Sequence, residues 1–165
     1  MSKRSCCLSG VAFLSALALA PTANAQVLTH KDLSLAMATT IAVTAVEACK
    51  AAGYNVSAHV VGREGQVIIG FRNEKAGLAT YENSMKKAYT ARTFRQPSGR
   101  IADNVKGNPN AGALFLSNIV PAQGALPIMI GEDVIGAIGI SGAPGGDKDE
   151  ACAKAGIDKV ADQLK

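Results

Sequence analysis

The chain has no tryptophan, and three tyrosines with four phenylalanines make up its aromatic content. Single-stranded nucleic acid is held on stacked rings, so a stacking platform is excluded. The 17 basic residues against 13 acidic ones are scattered along the chain and do not form a stripe, which removes a duplex-binding face as well. Histidine is scarcer still, with only His30 and His59, and four cysteines complete a set that has no zinc-ligand spacing. No stretch approaches the roughly 20 consecutive apolar residues that a membrane-spanning helix needs.

What is present begins with a leader. In MSKRSCCLSGVAFLSALALAPTANA, Lys3 and Arg4 supply a basic end, Leu8 to Ala20 an apolar run, and Ala23-Asn24-Ala25 a small-residue cleavage site. This pattern predicts a secretory signal removed after Ala25, a mature chain starting at Gln26, and a periplasmic or secreted location. Cys7 precedes the apolar run instead of closing it, so no lipid anchor is expected. The remaining 140 residues suit one domain, and loss of Lys3 and Arg4 lowers the formal charge from +4 to +2. Cys49 and Cys152 are then the only cysteines. In an oxidising compartment they read either as one disulfide or as two free thiols buried between small-residue helices.

Periodicity orders the rest. Thr29 to Gly53 predicts a helix with Thr29 as N-cap, Asp32 in its first turn and a face of small residues that includes Cys49. Tyr54 to Arg72 predicts a β-hairpin turning at Arg63-Glu64-Gly65, with Ser57, His59 and Val61 on one side and Ala58 and Val60 on the other. A second helix runs from Thr80 to Pro97. Tyr81, Ser84, Met85, Ala88 and Ala91 face the core, Lys87 lies at the border, and Arg92 and Arg95 fall on the core side. The stretch 101–124 is irregular, with a helical turn near Ala113 to Leu116. ALPIMI and VIGAIGIS form a second hairpin, in which Gly136 and Gly139 mark close approach of a neighbour. A last helix runs from about Lys148 to the end. Helix, two strands, helix, two or three strands and helix, without βαβ alternation, predict an α+β fold: an antiparallel sheet flanked by helices on both sides.

The glycine-rich turn SGAPGGDKDE has the composition of a phosphate cradle. Asp147, Asp149 and Glu150 occupy the place of the anion, however, and neither a Walker sequence nor a dinucleotide fingerprint is present. The turn reads as structural, with Asp147 as N-cap. Ser141 is not in a nucleophile elbow and has no recognisable base, so catalysis finds no support in spacing.

The stretches VSAHVVGREGQVIIGFR, MKKAYTARTFRQPSG, GALPIMIGEDVIG and VIGAIGISGAPGGDKDEACAKAG together resemble the GlcG/HbpS family of haem-binding-like proteins, which also includes the C-terminal domain of PduO-type corrinoid adenosyltransferases. The resemblance covers about Leu28 to Lys165. Gly62 stands where the family commonly has aspartate. The resemblance implies a five-stranded, profilin-like antiparallel sheet flanked by helices, self-association into a homo-oligomer, and haem or a related tetrapyrrole as ligand in a non-catalytic role. For haem, His30 or His59 is the candidate iron ligand, and Lys87, Arg92 and Arg95 are the candidate propionate partners. The ordinary alternatives are a hydrogen-bonded sheet histidine for His59, a solvated residue for His30, and edge snorkelling for the cations. A second reading is a small-organic-acid site built from Lys87, Arg95 and the Ser141-Gly142 backbone. A third is an assembly protein whose partner is another subunit.

Overall fold

The computed structural model describes residues 26–165, so the expected leader lies outside the described residues. The elements are α1 (Leu35–Ala51), β1 (Ser57–Val61), β2 (Val67–Arg72), α2 (Leu78–Phe94), α3 (Ser98–Val105), β3 (Ala125–Ile130), β4 (Asp133–Ser141) and α4 (Gly146–Asp158). Single 3-10 turns lie at Gly112–Phe115 and Ala161–Gln163. The strands form one antiparallel sheet in the order β2-β1-β4-β3. Helix α2 covers one face, while α1 and α4 pack on each other and on the other face.

Among the described residues there are four strands, one fewer than the resemblance implies. Pro109 and Pro121 bracket the segment before β3, and proline cannot donate to a ladder. Val120 there donates its N–H to the Thr90 hydroxyl (2.9 Å) instead of to a strand. Both hairpins turn where glycine takes positive φ, Gly65 at 78° and Gly131 at 60°.

Three helix starts differ from expectation. Helix α1 is capped by Ser34, whose side chain accepts from Met37 N, because Leu33 is buried one residue earlier against Gly136 and holds the chain out of helix. His30 therefore sits in the extended segment before α1. Helix α2 starts at Leu78 with Gly77 as cap, and the Thr80 hydroxyl bonds back to the Gly77 carbonyl (2.7 Å). Helix α4 starts at Gly146, which leaves Asp147 exposed in its first turn and Asp149 buried. It ends at Asp158, short of the C-terminus.

The two faces of the sheet differ in kind. Strand alternation sends Ala58, Val60, Ile138 and Ile140 toward α1 and α4, in one core with Ile41, Ile128, Ile135 and Val56. Here α1 and α4 touch closely: a Cβ on Gly156 would strike the Ile41 carbonyl. Cys49 and Cys152 are joined in a disulfide between these helices, with Cα atoms 5.5 Å apart. Toward α2 the sheet presents Ser57, His59, Val61, Ala137, Gly139 and Ser141. A Cβ on Gly139 would collide with the Ser84 carbonyl, so α2 lies almost on the backbone of β4.

Candidate functional site

Close approach of α2 to the sheet brings its small and polar residues onto polar strand residues. The Ser57 and Thr80 hydroxyls lie 2.8 Å apart, and Asn83 Nδ2 donates to Ser141 Oγ (2.9 Å). Ser84 Oγ donates to the Tyr81 carbonyl (2.9 Å) and therefore accepts from His59 Nδ1 (2.8 Å). That arrangement protonates Nδ1 and leaves Nε2 with its lone pair. Burial pushes His59 down to about 4, so the ring is neutral at ordinary pH.

Lys87 and Asp149 form an ion pair with side chains only 5% and 4% exposed, Nζ to Oδ2 2.7 Å. Nζ also donates to the Ile140 carbonyl (3.1 Å), and Asp149 Oδ1 accepts from Ala143 N (3.0 Å). Desolvation raises the Asp149 carboxyl above its ordinary value against the opposing pull of Lys87. Gly124, at φ 131°, closes over the pair, and a Cβ there would sit 2.7 Å from Nζ. The pair pins α2, β4 and the turn before α4 together.

At the end of the sheet where β1 turns into β2, charge accumulates. Arg63 grips Asp133 with both terminal nitrogens (2.9 and 2.6 Å), and its Nε and Nη2 donate to the Lys31 carbonyl (3.2 and 2.7 Å). This tether places His30, one residue before Lys31, at the same end. Helix α2 delivers Arg92 and Arg95 there. Burial and then the nearby charges of Arg95 and Arg63 depress Arg92. Its Nε is shielded from solvent and has no hydrogen-bond partner among the described residues. Two carboxylates stand near Arg92: Glu64 makes no hydrogen bond or ion pair with it, and Asp133 is spent on Arg63, which holds it below its ordinary value.

The predicted site residues thus separate into three places. His30, Arg92 and Arg95 share the hairpin end. His59 lies beneath α2 and Lys87 is sealed in its ion pair. Ser141 and Gly142 lie at the opposite end of β4, beside a cleft of about 410 Å3 lined by Thr80, Asn83, Lys86 and Val120. From Asn83 to Arg95 the helix rises about 18 Å, so Lys87, Arg95 and Ser141-Gly142 are not assembled into one acid site. Sequence reasoning missed Arg63, which it took as a turn residue, and Asp149, which it took with Asp147 as a helix-start charge. It also missed a larger open groove of about 750 Å3 between β3 and α4. Leu126, Pro127, Met129 and Ile157 form the apolar floor of this groove, and Asp147, Glu150, Asp158 and Lys154, the last two ion-paired at 2.7 Å, form its rim.

The residues at the hairpin end fit a haem group better than those beneath α2. His59 Nε2 lies so close to Gly70 that a Cβ there would strike it, and the Tyr81 ring meets the imidazole edge-on with centroids 4.3 Å apart. A macrocycle has no approach to that nitrogen while β2 and Tyr81 hold their places. His30 is exposed, in the segment whose Lys31 carbonyl Arg63 holds.

A sheet of this topology with α1 and α4 on one face and α2 on the other, with a buried polar seam beneath α2, defines a small α+β domain. The chain belongs to the HbpS-like family: the family described as "Haem degrading protein HbpS-like" matches residues 33–158. The fold is similar to crystalline HbpS at a TM-score of 0.77 and 31% identity, covering 82% of this chain and 94% of that one. It is also similar to the PduOC:haem complex, at a TM-score of 0.71 and 24% identity over 78% of this chain and 94% of that one; at that identity the likeness concerns the fold alone. An uncharacterised 15.0 kDa protein from the dhaT-dhaS intergenic region of Citrobacter freundii is 36% identical over 86 residues, half of this chain and 61% of that protein.

Proposed function

We propose that this is an exported haem-binding protein that holds the tetrapyrrole at the hairpin end, with His30 as iron ligand and Arg92 and Arg95 as propionate partners. The carrying observation is the shielded, unpartnered Nε of Arg92 beside two more guanidiniums, with Asp133 already committed to Arg63. A shielded donor on a half-buried arginine leaves the rest of that guanidinium free to pair with an anion, and paired carboxylates at the edge of a flat ring meet guanidiniums with charge-assisted hydrogen bonds. The exposed segment before α1 lets the His30 imidazole reach iron, and the HbpS-like family and a haem-complexed fold neighbour point to the same ligand class. The role is binding. The leader, with its cleavage after Ala25, supports export to the periplasm or beyond.

Hemin titration of the chain from Gln26 onward tests this reading. A saturable Soret shift at one site per subunit is expected. His30→Ala should remove the ligand band, Arg92→Gln should weaken affinity about tenfold, and His59→Ala should leave the bound spectrum unchanged. A flat titration, or a spectrum lost with His59→Ala and kept with His30→Ala, overturns it. Loaded protein incubated with ascorbate in air should keep its Soret band; protein-dependent decay would assign haem breakdown in place of carriage. Fractionation of producing cells should find the shortened chain outside the cytoplasm.

A further inference from the structure

We propose that Leu114, Phe115 and Leu116 of one subunit seat in the groove between β3 and α4 of a second copy, and that the second copy returns the same contact. Leu114, Phe115 and Leu116 are 41%, 75% and 52% exposed, and the 3-10 turn of this loop, Gly112–Phe115, buries no residue. Three consecutive large apolar residues held in water mark an interface when nothing local covers them. The loop is anchored at its C-terminal end: Val120 exchanges hydrogen bonds with the Thr90 hydroxyl (2.9 and 3.3 Å), and Gln123 Nε2 donates to Glu150 (3.0 Å). Gln123 is both the last residue of this loop before Gly124 and part of the groove wall. Gln123 thus ties the end of the loop to the groove wall, and a two-fold pair in which each copy offers both loop and groove closes without leftover contacts.

Charge and area select the occupant. Residues 107–123 contain no ionisable side chain, so the tip enters past Asp147, Glu150 and Asp158 without stranding a charge. An anionic ligand would meet three carboxylates and a single lysine already paired with Asp158. The three side chains expose on the order of 300 Å2. With matching area from the groove, one engagement covers roughly 600 Å2 and the reciprocal pair about 1,200 Å2, the lower bound for a stable specific interface. This contact is separate from the hairpin end and does not depend on haem.

Size-exclusion chromatography with light scattering on the chain from Gln26 onward tests the pairing, with circular dichroism melts to show that each variant is folded. Wild type is expected at twice the subunit mass or a multiple of it. Phe115→Asp and, separately, Met129→Arg should each halve that mass with an unchanged melt, and Phe115→Ser provides the milder variant should the aspartate unfold the loop. A wild type that is monomeric overturns the proposal, as does an assembly that survives either substitution in folded protein. A monomer in which Met129→Arg abolishes hemin uptake would give the groove to the tetrapyrrole and overturn it equally.

Discussion

The two faces of the sheet solve the same packing problem with opposite materials. Toward α1 and α4 the strands offer Val and Ile, and burial of apolar area holds the layers together at about 25 cal/mol per Å2. Toward α2 they offer Ser, His, Gly, Ala and one Val, and the helix answers with Thr80, Asn83, Ser84 and Lys87 beside the small Ala88 and Ala91. A hydrogen bond contributes little net stability when made and costs much when half of it is removed. The α2 face should therefore tolerate single changes badly and respond to pH, while the α1/α4 face should respond to volume alone.

The largest effect belongs to the apolar side. The disulfide closes a loop of 103 residues, which in the chain-entropy account is worth about 4–5 kcal/mol. Urea unfolding of the Cys49→Ala/Cys152→Ala double variant should show that loss, and a loss under 1 kcal/mol would mean that packing against Gly156 alone holds α1 to α4. Next comes the buried pair. Lys87→Met leaves Asp149 without its cation and should cost about 3–5 kcal/mol, whereas Lys87→Met/Asp149→Leu should cost less than the worse single change. A double variant as unstable as the sum of its singles would show that the pair is not the unit that matters.

The contrast between faces was legible in part from sequence, because strand alternation has period two. Once Ser57 and His59 were assigned to one side of β1, Ala58 and Val60 had to be on the other. The partners across the seam were not legible. Lys87 and Asp149 are 62 residues apart, and Asp147, two positions earlier, has the same composition signal for a helix start. What distinguishes Asp149 is its position one turn into α4, on the side facing β4. Local residue preference does not carry that information. Arg63 looked like an ordinary turn residue because its partners, Asp133 and the Lys31 carbonyl, arrive from other elements. Most of helix α3 falls in the stretch that reads as irregular, because it opens directly after Pro97 and buries only Ser98 and Ile101. The disulfide was one of two open readings until the fold brought α1 beside α4.

His59 gives the α2 face its expected pH signature. Its pKa is lowered by burial from 6.5 to about 4. Above pH 6.5 the ring is neutral in both folded and unfolded chains and contributes no slope. As pH falls through 6.5 the unfolded chain takes up the proton first, so stability drops until the folded form also protonates near pH 4. The full change is about 3 kcal/mol at 1.36 kcal/mol per unit. Chemical denaturation at steps between pH 7.5 and 4 should show this fall, and His59→Gln should remove its share. A His59→Gln curve with wild-type slope would place the titrating group elsewhere.

The smallest effect is the control that gives the others their meaning. Ile138 is fully buried on the α1/α4 face and pairs with Val60 and Leu126 on the neighbouring strands. Ile138→Val removes one methylene from a close-packed layer and should cost about 1 kcal/mol. The layer around it is apolar, so the loss should be the same at pH 7.5 and pH 5, whereas the cost of removing His59 changes across that range. If the Ile138→Val penalty also varied with pH, the two faces would be coupled through β4, and the division between an apolar side set by volume and a polar side set by protonation would fail.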